Sequence, residues 1–253
     1  MLLEGKIALV SGTGPNIGTE IARTLGTQGA KVVCLDLEQK YADAAAKAVI
    51  DGGSQAIGIS GDITRPDDME RAVAEAVKAF GRIDILVNDA AITDREPFLE
   101  AKLDTWNQVL GVILTGTFVC SQQVARQMVS QGSGGAIVNI VSTSGHRGET
   151  GRIAYGVAKS GLLNLTRSMA MQLAPHGIRV NSVTPTQSGT PVGRPEVAPR
   201  SDAEPPKNIP LKRWGRPQDQ AQAVLFLASP MADFITGIDV PCDGGLLAVF
   251  PTG

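Results

Sequence analysis

The chain has few of the residue types that carry metal, disulfide or stacking chemistry. Its 253 residues include three cysteines, two histidines and only 4% aromatic residues. The cysteines, Cys34, Cys120 and Cys242, are far apart and odd in number, so the sequence shows neither a zinc-type spacing nor a disulfide framework. We therefore predict no metal site, three free thiols and a reducing, cytoplasmic location.

The chain also has no large excess of positive or of negative residues. Lysine and arginine together number 23, aspartate and glutamate number 25, and the formal net charge is −2. A general nucleic-acid binder needs a basic surface to meet the phosphates. We therefore expect no nucleic-acid partner.

Long apolar segments are missing as well. The first six residues have no basic region followed by an apolar run, so they do not resemble a signal peptide. Residues 105–125 carry no charge, but they contain asparagine, glutamines, serine and threonines, which are too polar for a membrane span. We predict one long helix there and no membrane partner.

What the chain does have is enough apolar material for a sizeable core, at 43% of its residues. Short β-branched runs alternate with helical patterns. The predicted strands are residues 7–10, 32–35, 56–60, 83–87, 136–141, 178–183 and 238–241. The predicted helices are residues 17–28, 41–49, 67–80, 103–128, 155–173 and 219–228. This order predicts an α/β fold: a Rossmann-type doubly wound parallel sheet of about seven strands with helices on both faces, in a single domain over residues 1–253.

One segment differs in composition. Residues 185–217 hold eight of the fifteen prolines and show little helical period. A loop of this length in a compact domain is usually functional or disordered. We interpret it as a lid over a site at the carboxyl ends of the strands, with a disordered insertion as the alternative.

A glycine-rich turn, residues 11–18, joins the first predicted strand to a helix. Glycines let the backbone approach a phosphate, and the helix N-terminus offers free N–H groups. The turn departs from G-x-G-x-x-G because Ile17 stands at the third glycine, so a merely tight turn is the alternative.

The second predicted strand ends at Leu35 and Asp36, 24 residues after Gly12. A carboxylate there accepts hydrogen bonds from both hydroxyls of an adenosine ribose and repels a 2′-phosphate. We therefore predict NAD rather than NADP as the cofactor. A solvated acid at a strand end is the alternative interpretation.

Tyr155 and Lys159 lie at i and i+4 on one face of a predicted helix. A nearby cation favours the phenolate, so we expect Lys159 to lower the pKa of Tyr155 and make it a usable acid–base group. Ser142 ends the fifth predicted strand, where its hydroxyl can hold a carbonyl or alcohol oxygen. We predict Ser142, Tyr155 and Lys159 as the catalytic residues, against the alternative of an exposed helix pair.

The loop that follows Ser142 contains Arg147 and Arg152. Guanidinium groups pair with a carboxylate or phosphate through two parallel hydrogen bonds. The two arginines can therefore recognise an anionic substrate, although solvated surface side chains are the more ordinary interpretation.

Together these motifs resemble the short-chain dehydrogenase/reductase family over nearly the whole chain. The matching pieces are the 11–18 turn, Asp62-Ile63, Asn88-Asp89-Ala90-Ala91, residues 137–142, Tyr155-x-x-x-Lys159, residues 179–185, Thr236-Gly237 and Asp243-Gly244-Gly245. The resemblance implies a Rossmann sheet, a nicotinamide cofactor, hydride exchange with an alcohol or carbonyl, and a homotetramer.

The resemblance also implies individual roles. Lys159 would hold the nicotinamide ribose, Thr190 would reach the nicotinamide amide, and Ser142 would position the substrate oxygen. The full set of predicted cofactor-binding residues is Gly12, Asn16, Ile17, Asp36, Leu37, Asp62, Ile63, Asn88, Ala90, Tyr155, Lys159, Pro185 and Thr190.

The sequence departs from the family pattern at several of these positions. Asn16 replaces a glycine of the turn, and asparagine tolerates left-handed conformations. Asp89 and Ala91 replace asparagine and glycine, which adds a charge and a methyl group beside the predicted cofactor. Ile113 replaces an asparagine that in the family helps hold a water feeding protons to the lysine, and isoleucine cannot bind water.

The sequence thus predicts an NAD-dependent oxidoreductase that interconverts a secondary alcohol and a ketone, with Tyr155 as the acid–base group. Because of Ile113, an NAD-binding protein with little or no catalysis, such as a sensor or assembly subunit, is the alternative. A dehydratase or isomerase on the same scaffold is a third. The identity of the small-molecule substrate and the physiological direction are not indicated.

Overall fold

The computed structural model describes residues 1–189, 204 and 206–248. Seven parallel strands form one sheet in the order β3-β2-β1-β4-β5-β6-β7. The strands are β1 (Ile7–Ser11), β2 (Lys31–Asp36), β3 (Ala56–Ser60), β4 (Ile85–Asn88), β5 (Gly135–Ile140), β6 (Ile178–Pro185) and β7 (Asp239–Cys242). The strand order reverses between β1 and β4, and such a switch point opens a crevice at the carboxyl ends of the strands.

Helices cover both faces of this sheet. They are α1 (Ile17–Thr27), α2 (Gln39–Asp51), α3 (Pro66–Phe80), α4 (Leu103–Leu110), α5 (Thr117–Gln131), α6 (Ile153–Leu173) and α7 (Pro217–Ala228). Buried side chains of α1, α2 and α7 share one core cluster, and those of α3, α5 and α6 share the other. The predicted doubly wound fold is confirmed.

The burial of β1 shows why its sequence is a continuous apolar run. Ala8 and Val10 belong to the cluster under α1 and α7, whereas Leu9 belongs to the cluster on the opposite face. A strand covered on both faces has no solvent side and therefore no polar alternation. All seven predicted strands are present, with ends shifted by at most two residues.

The helix predicted over residues 103–128 runs to Gln131, and a π-helical segment, Gly111–Gly116, joins α4 to α5. Among the described helices, only this one, over Leu103–Gln131, is long and apolar enough by composition to cross a membrane. Nearly half of its most apolar window is buried inside the domain. The structure thus uses it as a core helix.

The segment predicted to form a lid is described only in part. Residues 190–203 and residue 205 lie outside the described residues. At the two ends of the segment, Gly189 donates a backbone hydrogen bond to Gly215 (3.3 Å), and Gly215 donates one to Gln187 (3.2 Å). The two ends of the segment are therefore held together beside the carboxyl ends of the strands, and the lid itself stays a prediction.

The cysteines lie unpaired in the structure. Cys34 and Cys120 are buried, as expected for small apolar side chains, and Cys242 is partly buried. Burial raises the pKa of the Cys34 and Cys120 thiols to about 12. Both are therefore protonated packing residues.

Candidate active site

A cavity of about 1050 Å³ lies along the carboxyl ends of the strands. Twelve of the predicted site residues line it: Gly12, Asn16, Ile17, Asp36, Leu37, Asp62, Ile63, Ala90, Ser142, Tyr155, Lys159 and Pro185. These residues come from segments spread over most of the sequence. The parallel sheet brings them together because the loops that follow its strands all lie at one edge.

Two predicted residues are not among those lining the cavity. Thr190 lies outside the described residues. The Asn88 side chain points into the protein, where its Nδ2 atom donates hydrogen bonds to Ser121 Oγ and Asn139 Oδ1, both at 2.9 Å. Asn88 therefore ties β4 to α5 and β5, and a cofactor contact by Asn88 stays a prediction.

The glycine turn passes very close to the segment that follows β4. Gly12 has a φ of +79°, and a Cβ atom there would lie 2.4 Å from the Ala90 nitrogen. A Cβ atom on Gly18 would lie 2.1 Å from the Gly12 oxygen, so both positions require glycine. Asn16 has a φ of −162°, an extended backbone that any residue adopts. The turn therefore does not depend on the tolerance of asparagine for left-handed conformations, and the loss of the family glycine there costs no left-handed backbone strain.

Asp36 ends β2 at the rim of the cavity. Its Oδ1 atom accepts a hydrogen bond from the Glu38 backbone N–H at 3.2 Å. Burial raises the pKa of Asp36 above its usual value, because a partly desolvated carboxylate loses hydration. The acidic residues lining this end of the cavity are Asp36, Glu38 and Asp62. A 2′-phosphate would meet negative charge here.

The structure brings Ser142, Tyr155 and Lys159 to the same wall of the cavity. Lys159 is 2% exposed; its Nζ atom donates a hydrogen bond to the Ile140 oxygen (2.6 Å) and lies 5.7 Å from the centre of the Tyr155 ring. Ser142 lies two residues after the end of β5, and its hydroxyl accepts a hydrogen bond from the Ser144 N–H at 3.2 Å. The arrangement fixes an ammonium, a phenol and a hydroxyl around one space.

The electrostatics of Tyr155 differ from the expectation. Burial raises the pKa of Tyr155, while the Ser142 hydroxyl and the Arg152 guanidinium act in the opposite direction. The Arg152 Cζ atom lies 4.6 Å from the centre of the Tyr155 ring. The predicted net lowering of the Tyr155 pKa was therefore wrong, and Arg152 is the cation that most opposes burial. Burial also lowers the pKa of Lys159 to about 8, because the ammonium loses its hydration.

Asp89 adds a titratable group between the glycine turn and Lys159. Its Oδ2 atom lies 3.0 Å from the position that a Cβ atom on Gly18 would occupy. Burial raises the pKa of Asp89 to about 7, and the positive charge of Lys159 and a hydrogen bond from the Gly18 N–H oppose that rise. The acid at this position therefore titrates near neutral pH.

Asp94 was not identified from the sequence. It is 3% exposed, and its two carboxylate oxygens accept hydrogen bonds from the backbone N–H groups of Ala154 and Tyr155, each at 3.0 Å. These N–H groups belong to the first turn of α6 and have no partner within that helix. The available signal was the absence of a serine, threonine, aspartate or asparagine directly before α6, which left its cap to be supplied from elsewhere.

Ile113 lies in the π-helical segment and is fully buried. It belongs to an apolar cluster with Tyr155, Ala158 and Leu162. The position where the family pattern has a water-binding asparagine is therefore part of the packing behind Tyr155, the predicted acid–base residue.

Comparisons with known proteins agree with this geometry. The family profile described as "Enoyl-(Acyl carrier protein) reductase" matches residues 12–247. A short-chain dehydrogenase/reductase, astE, from Aspergillus oryzae is 36% identical over 249 residues, covering 96% of this chain and 95% of the relative. Cis-4-hydroxycyclohexanecarboxylate dehydrogenase from Sinomonas cyclohexanicum is 37% identical over 247 residues, covering 96% and 97%.

Solved structures show the same fold. The crystal structure of carveol dehydrogenase from Mycobacterium avium in complex with NAD superposes with a TM-score of 0.90 at 29% identity. The match covers 98% of this chain and 99% of that protein.

Proposed function

Since the chain belongs to the short-chain dehydrogenase/reductase family, we propose that it is an NAD-dependent oxidoreductase that interconverts a secondary alcohol and a ketone. The observation that carries this proposal is the single cavity in which Ser142, Tyr155 and Lys159 face the glycine turn and Asp36. Family membership makes the protein an oxidoreductase, and the residues of this cavity favour the particular cofactor and reaction.

The cavity fits a dinucleotide. The turn at Gly12 admits no Cβ atom, and α1 begins at Ile17 with its N-terminal N–H groups at the cavity wall. Asp36 would hold the adenosine ribose, and Lys159 would hold the nicotinamide ribose. The bound cofactor would supply the redox chemistry, as hydride acceptor in the form of NAD and as hydride donor in the form of NADH. The NAD complex of the Mycobacterium avium carveol dehydrogenase supports this choice.

Side chains of the cavity carry out the proton transfer and hold the substrate. In the oxidation direction, the Tyr155 phenolate takes the proton of the substrate hydroxyl as carbon loses its hydride, and in reduction Tyr155 returns that proton to the oxygen. Ser142 donates a hydrogen bond to the substrate oxygen and keeps it beside Tyr155. The Arg152 guanidinium favours the phenolate in the buried site, where charge is otherwise costly.

The proposal also covers the oligomeric state of the protein and its location in the cell. We propose a cytoplasmic homotetramer, supported by exposed apolar side chains on α5 and α6 such as Phe118, which is 47% exposed, and Val157, which is 44% exposed. Light scattering behind size-exclusion chromatography measures the assembly, and a monomer at micromolar concentration would contradict it.

The test is NADH formation from NAD and a panel of secondary alcohols, with the reverse reaction run on the matching ketones. We expect turnover with at least one member of the panel and a clear preference for NAD over NADP. NAD binding without turnover in either direction would favour the non-catalytic alternative. Product formation without any net change in NADH would favour a dehydratase or isomerase.

A further inference from the structure

We propose, resting on the oxidoreductase function above, that the substrate carries a carboxylate and that Arg147 and Arg152 bind it. The substrate would then be a hydroxy acid or an oxo acid whose reacting carbon lies beside Ser142 and Tyr155. Three features of the cavity support this proposal: its charge distribution, the fixed position of Arg152 and the lack of a counter-ion at Arg147.

The two ends of the cavity carry side chains of opposite charge. The end beside Asp36 carries acidic side chains, as described above. The loops that follow β4 and β5 place three guanidinium groups on the other end, from Arg95, Arg147 and Arg152. Within the described lining, the same two loops also contribute two acidic residues, Glu149 and, toward the glycine turn, Asp89. Around Ser142 and Tyr155, Arg147 and Arg152 together outnumber the neighbouring acid Glu149, which favours an anionic ligand there.

Arg152 is fixed beside the catalytic tyrosine. Its Nε atom donates a hydrogen bond to Thr93 Oγ1 at 3.1 Å, and its Nη1 atom pairs with Glu149 at 3.2 Å. Its Nη2 atom makes no hydrogen bond to any residue that the structure describes. The Arg152 Cζ atom also lies 4.6 Å from the centre of the Tyr155 ring, and both residues line the cavity, so the guanidinium with its unbonded Nη2 atom lies beside the tyrosine.

Arg147 lies five residues after Ser142 and also lines the cavity. It forms no ion pair or hydrogen bond with any residue in the described part of the chain. Arg147 and Arg152, taken with Glu149, leave one net positive charge, which matches one carboxylate. A carboxylate is also planar, so its two oxygens fit the parallel N–H groups of a guanidinium fork.

The experiment compares each hydroxy acid with its methyl ester, for example 4-hydroxycyclohexanecarboxylate with methyl 4-hydroxycyclohexanecarboxylate. Wild-type protein, Arg147→Ala and the control Arg126→Ala are assayed for kcat/KM with NAD. Arg126 is an exposed arginine of α5 outside the cavity lining. Calorimetry on the NADH complex then measures binding of cyclohexanecarboxylate and of cyclohexanecarboxamide, neither of which reacts.

We expect the acid of a productive pair to exceed its ester by roughly ten-fold or more in kcat/KM, since hydrogen bonds to charged groups are worth that much. Arg147→Ala should bring the ratio close to one, whereas Arg126→Ala should keep it. Cyclohexanecarboxylate should bind more tightly than the amide, and Arg147→Ala should abolish the difference.

Two results would overturn the inference and leave the proposed function intact. One is that esters react with the same kcat/KM as their acids. The other is that Arg147→Ala lowers kcat/KM for the acid and for the ester by the same factor. Failure of all alcohols and ketones to react would instead defeat the proposed function, and the calorimetry would still decide the carboxylate site. Equal binding of carboxylate and amide to the wild-type protein would contradict that site.

Discussion

The carboxylate of Asp94 accepts a hydrogen bond from the backbone N–H of Tyr155 at 3.0 Å, across 61 positions of the sequence. The same carboxylate accepts a second bond from the neighbouring residue of α6, so it caps the helix on which Tyr155 and Lys159 lie. The loop that follows β4 also contributes Ala90 and Ala91 to the cavity wall. One contact therefore links the predicted cofactor site to Tyr155, the predicted acid–base residue.

Replacing Asp94 with alanine should therefore damage both stability and catalysis. The variant loses two charge-assisted hydrogen bonds at a helix N-terminus, which costs about 1–2 kcal/mol of unfolding free energy. Because the Tyr155 backbone also loses its anchor, kcat should fall more than KM rises. Urea unfolding and steady-state kinetics measure these effects.

Asp94→Asn is the conservative variant, since its amide oxygen still accepts one of the two bonds, and it should recover part of the loss in kcat. Asp104→Ala, an exposed acid in the first turn of α4, is the matched control. A wild-type kcat for Asp94→Ala would show that the cap does not position Tyr155.

Cofactor choice should depend on Asp36. Asp36→Ala removes the acceptor for the ribose hydroxyls and the repulsion of a 2′-phosphate. We expect the Kd for NADH to rise by roughly ten-fold, the loss of one or two hydrogen bonds to a charged group, and the Kd for NADPH to fall. Fluorescence titration measures both, with Asp51→Ala, an exposed acid at the end of α2, as the control. An unchanged ratio of the two constants would refute the role of Asp36.

NAD affinity should vary with pH through Asp89. Its pKa is about 7, so the side chain is neutral below that pH and negative above it, in the cavity proposed to hold a pyrophosphate. We expect the Kd for NAD to rise between about pH 6 and pH 8, since ionisation places like charges together. Asp89→Asn keeps an acceptor for the Gly18 N–H and should flatten the profile.

The raised pKa of Asp89 also makes the stability of the folded protein depend on pH. A carboxyl whose pKa is raised in the folded state destabilises the protein as pH rises from its ordinary value, 3.8, to about 7. Asp89→Asn should therefore unfold at higher urea concentration than the wild type at pH 8, and the two should converge in acid. A variant that is less stable than the wild type at pH 8 would contradict this sign.

Ile113→Asn tests whether the position is now a packing site. Ile113 is fully buried against Tyr155, Ala158 and Leu162, so an amide there loses hydration without a described partner. We expect a loss of about 1–3 kcal/mol of unfolding free energy. Ile113→Val, which removes one methylene, should cost about 1 kcal/mol. Unchanged stability in Ile113→Asn would mean that the segment still accommodates a polar group.

The sequence was a good guide wherever a local pattern determined the structure. The strands could be predicted because runs such as residues 7–10 of β1 are continuously apolar. That Tyr155 and Lys159 lie on one face of α6 could be predicted because they are one helical turn apart. The glycine turn and Asp36 were recognisable because the turn directly follows β1 and Asp36 ends β2.

Contacts between residues far apart in the chain could not be predicted from local sequence patterns. Asp94 caps α6 from a loop 60 residues away, and nothing in the residues around it indicates that partner. The pKa of Tyr155 depends on how deeply it is buried and on the Arg152 guanidinium over its ring, neither of which spacing reveals. The inward direction of the Asn88 side chain is likewise set by its partners on β5 and α5.

Tyr155→Phe is the direct test of whether Tyr155 is the acid–base group of an NAD-dependent oxidoreductase. The variant keeps the buried ring and the Arg152 contact but removes the hydroxyl that carries the proton. With a substrate found in the alcohol panel, kcat should fall by at least about 100-fold, as the loss of a general acid–base group requires, while the Kd for NADH stays within about two-fold of the wild type. Undiminished turnover in Tyr155→Phe would show that Tyr155 is not the acid–base group.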